Sequence, residues 1–315
     1  MKQVNNRREI IFLYDVTNSN PNGDPLDENK PRIDEESGKN LVSDVRLKRT
    51  IRDHLKRFKN KDIFIWTEQK SDGSKKTKEE IMDTLKVNSP NELLDKCIDI
   101  RLFGATIAIK SKDKKGKKEL DDSEPEKKNI TFTGPVQFKF GISLHKVETK
   151  FIKGTTVFPS KEGLSQGTFT EQYILPYSLI SFYGIVNENA GKDTKLTEED
   201  LELLYDGLWN GTKNLISRSK IGQMPRLLIE VIYNERNYHI GDLDKQIKLI
   251  LNGNEIKNQE EIRSTEDYYL DLTKLKKTLD DNKSQIKEIR MKVDPNLKIT
   301  GWYCDGEIKE VIIGG

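Results

Sequence analysis

Apolar residues crowd first at "EIIFLYDV" (9–16), where β-branched and aromatic side chains run almost unbroken up to Asp15. That composition predicts a strand. "SDVRLKRTIRDHLKRF" (43–58) changes period. At about 100° per residue, Leu47, Ile51, Leu55 and Phe58 fall on one stripe of a helix. Ser43 suits its N-cap and Asp44 its first turn. "KDIFIW" (61–66) predicts a second strand, followed by a short helix at 79–86 and another starting after Ser89. "ITFTGPVQFKFGISLHKVE" alternates apolar and polar residues like a half-buried strand. Residues 149–170, with glycines and scattered aromatics, read as a protruding hairpin. "QYILPYSLISFYGIVNENA" predicts a strand with a bend at Pro176. In "TEEDLELLYDGLWNGTKNL", Thr197 and Asp200 form a capping box, and Leu201, Leu204, Tyr205 and Leu208 share a face. "RLLIEVIY" (226–233) is a further strand, 242–292 is charged and predicted mainly helical, and the end is a hairpin around Asp305-Gly306.

This order predicts an α+β fold, a sheet with helices on one face, compatible with a heavily decorated ferredoxin-like core. Residues 110–129 hold almost nothing apolar and are expected to be an exposed, mobile insertion. No run of about 18 apolar residues predicts a membrane helix. The apolar run near the N-terminus is short and lacks a small-residue cleavage site, so it reads as a strand and not a signal peptide. Cys97 and Cys304 are far apart and give neither a disulfide framework nor zinc spacing, which fits a reducing, cytoplasmic setting. His54, His145 and His239 are scattered and are expected in structural or surface roles.

Charge enters through its distribution. Lys and Arg number 54 against 52 acids, yet residues 39 to 59 hold eight Lys/Arg against two Asp. Lys48, Arg52, Lys56 and Lys59 form a row beside the apolar stripe, flanked by Arg49. Just before that helix stands "TNSNPNGDPLD". Asn18, Asn20, Asn22 and Gly23 have the spacing of a calcium loop, but Pro21 and Asn29 occupy its fourth and twelfth positions, so the site fails. Two tight turns, or a contact surface of amides and free N–H groups, remain. Beside a row of cations, the contact surface fits a phosphate backbone. "RSKIGQMP" (218–225) adds Arg218, Lys220 and Gln223 around Gly222, and "TGPVQF" adds Gln137. There is no phosphate-binding P-loop, zinc-protease helix or nucleophile elbow. No metal or cofactor is expected, although Asp24 and Asp34 leave a magnesium-dependent nuclease open.

"FLYDVTNSNPNGDP", "PRID…GKNLVSDVRLKRTIRDHL", "RLFGA", "TGPVQF" and "YILPYSLISFYGIVN" together resemble the backbone subunit of type I CRISPR surveillance complexes (Cascade), the seventh Cas protein of the I-B and I-C group. The blocks stand in family order across residues 9 to 233. The resemblance implies a modified RNA-recognition fold shaped as a right hand. Its palm would be 1–60, 130–148 and 173–241, its helical fingers 61–129, its thumb hairpin 149–172, with a helical extension and hairpin at 242–315. It implies a non-enzymatic subunit that polymerises head to tail along a guide crRNA. Target DNA would be read through the guide, alongside a large, a small and an RNA-end-capping subunit. By that resemblance Ser43, Arg46, Lys48, Arg49 and Arg52 of "VSDVRLKR" and its continuation contact the guide backbone. Asn18, Asn20, Asn22, Gly23, Gln137, Arg218, Lys220, Gln223 and Met224 are palm contacts, and Phe158 is the thumb wedge. The alternatives are a metal-dependent ribonuclease of the type III kind, with Asp24 or Asp34 cutting, and a general single-strand RNA-binding protein.

Overall fold

The computed structural model describes residues 2–110, 127–155, 169–253, 256–303 and 310–313. The chain opens with β1 (Arg8–Ser19), followed by the two-residue strands β2 (Gly23–Asp24), β3 (Lys30–Pro31) and β4 (Ile33–Asp34). β5 (Lys39–Val42) leads into α1 (Asp44–Phe58), where the Ser43 side chain accepts the Arg46 N–H as the predicted N-cap. Then come α2 (Lys78–Leu85), α3 (Pro90–Lys96), α4 (Ile98–Phe103) and the pair β6 (Gly104–Lys110) and β7 (Lys127–Thr133). The middle supplies β8 (Val136–Phe138), β9 (Gly141–Lys146), β10 (Lys150–Thr155), β11 (Phe169–Val186), α5 (Glu188–Asp193), α6 (Glu198–Lys213) and β12 (Gln223–Tyr233). Last are β13 (Lys248–Leu251), β14 (Tyr268–Asp271), α7 (Thr273–Asp281), β15 (Ile286–Val293), β16 (Ile299–Thr300) and β17 (Glu310–Ile312).

Ten strands make one large sheet in the order β17-β15-β12-β1-β11-β9-β5-β4, with β8 and β10 also paired to β11. Every pairing in it is antiparallel except β15 with β17. The position of β1 explains its unbroken apolar run. Ile10, Phe12 and Tyr14 face the α1–α6 layer and pack with Leu47, Ile51, Leu55, Leu201, Leu204 and Leu208. Ile11 and Leu13 face the other way, onto Leu270, Leu272, Leu275 and Leu279 of the C-terminal part. A strand covered on both faces needs no polar alternation, and each such side chain contributes roughly 1.5–3 kcal/mol on burial. Buried Glu9 ties the C-terminal part to the sheet by accepting the Tyr183 and Tyr233 hydroxyls and the Ile240 and Gly241 N–H groups. No helix among the described residues is long and apolar enough to cross a membrane.

Several expectations change. Residues 242–292 are not mainly helical: β13, β14 and β16 form a small sheet, β15 joins the large one, and α7 is the one α-helix there among the described residues. In β14 Tyr268 and Leu270 are buried and Tyr269 and Asp271 are not, a period of two and not 3.6. "KDIFIW" is not a strand. Asp99, fully buried, accepts the N–H groups of Phe64 and Ile65 at 2.9 and 3.0 Å and fixes the segment as an irregular strap. The C-terminal hairpin is not formed by its described flanks, since β16 pairs with β14 and β17 with β15. Phe58 is 57% exposed and stacks on His54 instead of joining the α1 core stripe. β11 runs through Pro176 unbroken, because its partner there, Asn18, leaves the ladder in a left-handed conformation (φ 48°). Most of the predicted insertion 110–129 lies outside the described residues.

His145 plugs β9 to β11: its Nε2 accepts the Leu179 N–H at 3.2 Å and its Nδ1–H donates to the Lys146 carbonyl at 2.7 Å. Burial pushes its pKa down from 6.5 to about 4. An imidazole held neutral in the fold stabilises it fully above the unfolded pKa, and that stability is lost as pH falls through the folded one. Urea unfolding is therefore expected to lose roughly 3 kcal/mol more between pH 7 and 4 in the native protein than in His145→Gln. Parallel pH profiles for the two would contradict this.

Candidate nucleic-acid interface

Two loops that the sequence separates by two hundred residues are laced into one surface. The Thr17 N–H donates to the Gly222 carbonyl at 2.9 Å, and the Asn20 N–H and Ser19 hydroxyl both donate to the Ser219 carbonyl. Gly222 has φ +98°, and a Cβ there would sit 2.5 Å from the Thr17 oxygen, so glycine is required. Lys220 reaches back across the seam and donates to the carbonyls of Asn20 and Pro21. The asparagines mostly shape this floor. Buried Asn20 donates to the Asn29 carbonyl at 2.7 Å, and Asn22 Oδ1 accepts from both the N–H and the hydroxyl of Ser43, docking the loop on the start of α1. Gly23 packs so tightly that a Cβ would fall 2.0 Å from Asn29 Oδ1. Asn18 is exposed.

Above this floor α1 presents Arg46, half-buried, hydrogen-bonded to Thr50 Oγ1 at 3.3 Å and ion-paired to no carboxylate among the described residues. Arg46 and Lys220 line one cavity of about 310 Å³ with Thr50, Asp53, Arg57 and Ser219. Burial, and then the Arg46 charge, push the Lys220 pKa down to about 8. Burial likewise lowers that of Arg46. Asp53 lines the same cavity but is committed to Arg49 and ion-pairs with neither cation, so an anion placed between the two would relieve both.

The remaining cations divide. Lys48 Nζ bridges Asp44 at 3.0 Å and Gln137 Oε1 at 3.2 Å, joining α1 to exposed Gln137 on β8. Arg49 pairs with Asp53 at 2.6 Å, lies over the Trp66 ring at 5.2 Å, and keeps 40% of its side chain exposed. Arg52 does not join the exposed row: it is 8% exposed, bonded to Asp99 at 3.0 Å and stacked on Phe103. Its place on the helix turns it toward the 61–66 strap. Arg218 is exposed and donates to Thr170 Oγ1, on the β11 arm of the β10–β11 hairpin towards its far end. Gln223 is buried with its Nε2 unpartnered among the described residues, and Met224 is half-buried opposite Asp15. Phe158 lies outside the described residues. Asp24 caps a turn through the Leu26 N–H, and Asp34 caps another through the Ser37 N–H and hydroxyl, bonds that hold its carboxyl below the usual range. Among the described residues no three His, Cys, Asp or Glu side chains cluster as a metal site. The sequence reading missed Thr50, His54 and Arg57, although their spacing from Arg46 places all four on one helical stripe.

Residues 6–273 match the family of CRISPR-associated protein Cas7. A CRISPR-associated protein Cas7 of Haloferax volcanii (strain DS2) is 34% identical over 310 residues, covering 93% of this chain and 88% of its own length. The chain belongs to the Cas7 family. The matched span of this Cas7 chain holds both laced loops, α1 and the Arg46–Lys220 pair. A chain of a solved CRISPR RNA-guided surveillance complex in a pre-nicking state shares its fold, with a TM-score of 0.51 at 12% identity over 94% of this chain and 96% of that one.

Proposed function

We propose that this Cas7 chain is the non-catalytic backbone subunit of a type I Cascade of the I-B/I-C group, binding guide RNA and stacking head to tail on copies of itself. The observation that carries the reading is the Arg46–Lys220 pair, two cations brought together from α1 and the 217–222 loop, neither of them ion-paired to a carboxylate among the described residues. Phosphates grip such a surface without regard to sequence, and base pairing by the guide then reads the target DNA. Lys48, Arg49 and Arg218 extend the cationic track, while Asn22, Gly23 and Ser43 shape its floor. The hand reading makes 1–60, 130–148 and 173–241 the palm, 61–129 the fingers and 149–172 the thumb. Large, small and end-capping subunits complete the assembly. Asp24 and Asp34 serve as turn caps in this reading, which favours it over the ribonuclease alternative.

The test is the nucleic acid that co-purifies with the protein when a guide is co-expressed. A discrete guide-length RNA in a multi-copy particle is expected; heterogeneous RNA would favour a general single-strand binder. Changing Lys48 and Arg49 together to Ala is expected to weaken guide binding and to reduce the slope of log K against log salt by about 1.4, from about 0.7 per lost single-strand phosphate contact. An unchanged slope would remove α1 from the interface.

A further inference from the structure

His54 shares the cavity of Arg46 and Lys220 but has another chemistry. It is 3% exposed, and its Nε2 lies 2.7 Å from Asp206 Oδ2, which also takes Lys59 at 3.0 Å. Burial alone would raise the Asp206 pKa, but hydrogen bonds from Asn210, His54 and Lys59 outweigh it and hold the carboxyl below its ordinary value. An ionised carboxylate only accepts, so Nε2 carries a proton, and in the neutral ring Nδ1 presents a lone pair. That Nδ1 is buried and has no hydrogen-bond partner among the described residues. The ring has little freedom to turn elsewhere. Gly207 and Gly211 bring α6 against α1, where a Cβ on Gly211 would come within 3.0 Å of His54 Cβ, and Phe58 stacks on the imidazole at 5.3 Å.

A fixed, buried acceptor calls for a donor. A phosphodiester offers none, although it suits Arg46 and Lys220. A ribose-phosphate unit meets both demands: its phosphate oxygens accept from the cations, and its 2′-hydroxyl donates to Nδ1. DNA lacks that hydroxyl. We propose that His54, oriented by Asp206, is a ribose-selective contact that makes this surface prefer RNA to DNA of the same sequence. This rests on the guide-RNA reading.

The test is binding of the purified full chain to three strands of one guide-length sequence: RNA, DNA and fully 2′-O-methylated RNA, whose oxygen accepts but cannot donate. RNA is expected to bind about five-fold or more tightly than either, the effect of one buried hydrogen bond. His54→Phe keeps an aromatic ring against Phe58 but removes the acceptor, and is expected to erase the preference, bringing RNA, DNA and 2′-O-methyl RNA to one level. His54→Gln is the second variant should the first fail to fold. Equal wild-type affinity for RNA and 2′-O-methyl RNA would overturn the proposal whatever the variants do, and so would a folded His54→Phe that kept the preference. Binding of no strand at all would overturn the guide-RNA reading itself, and this inference with it.

Discussion

Replacing Arg46 with methionine is expected to raise the melting temperature of the free protein while lowering its RNA affinity by about ten- to a hundred-fold. The two signs come from one cause. Arg46 is half-buried beside Lys220 without a carboxylate partner, so its charge works against the folded state, and a methionine of similar reach removes that penalty. A phosphate facing the same guanidinium loses a charge-assisted hydrogen bond, typically 1.5–3 kcal/mol. Thermal unfolding without RNA and titration at fixed salt give the two numbers. Bound RNA should also raise the wild-type melting temperature more than that of the variant. If stability and affinity fell together, Arg46 would be a structural residue and the cavity would lose its reading.

Asp99→Asn is expected to cost roughly 3–5 kcal/mol, the usual result of breaking a buried ion pair from one side. Asp99 is fully buried and serves three donors, the Phe64 and Ile65 N–H groups and the Arg52 guanidinium. An amide has one acceptor oxygen and must turn its NH₂ toward one of those donors. Urea unfolding measures the loss. Arg52→Ala is expected to destabilise as well, with the salt dependence of RNA binding unchanged. A changed salt slope would return Arg52 to the RNA-contacting row.

Local chemistry was legible wherever a pattern fixed itself. The Ser43 cap, the Thr197–Asp200 capping box and the Leu201, Leu204, Tyr205 and Leu208 stripe follow from spacing alone, and all are present. The cations were legible as a row, but not their division. Arg52 and Arg49 are three residues apart, and only the arrival of Asp99 from α4 decides that one is buried in a clamp and the other left open. "KDIFIW" has strand composition, yet a carboxylate 34 residues on claims the amides a partner strand would have used. The 242–292 stretch misled because its strands are short and charged, and the period of two is plain only over the four residues of β14. His54 was invisible as a site because its significance depends on Asp206, 152 residues away, and on two glycines that let the helices meet.

β11 is one strand of 18 residues. Phe169–Ile174 pairs with β10, and from Leu175 on it pairs with β1 in the centre of the sheet. The hairpin is therefore a cantilever whose beam continues into the foundation, with no joint at its root. A force on the far end of the described pairing, at Thr155 and Phe169, loads the β1–β11 hydrogen bonds in shear, many at once. Pro176, which brings no N–H to the ladder, marks the softest point of the beam. The described part of the hairpin therefore carries load straight into the centre of the large sheet through one continuous strand.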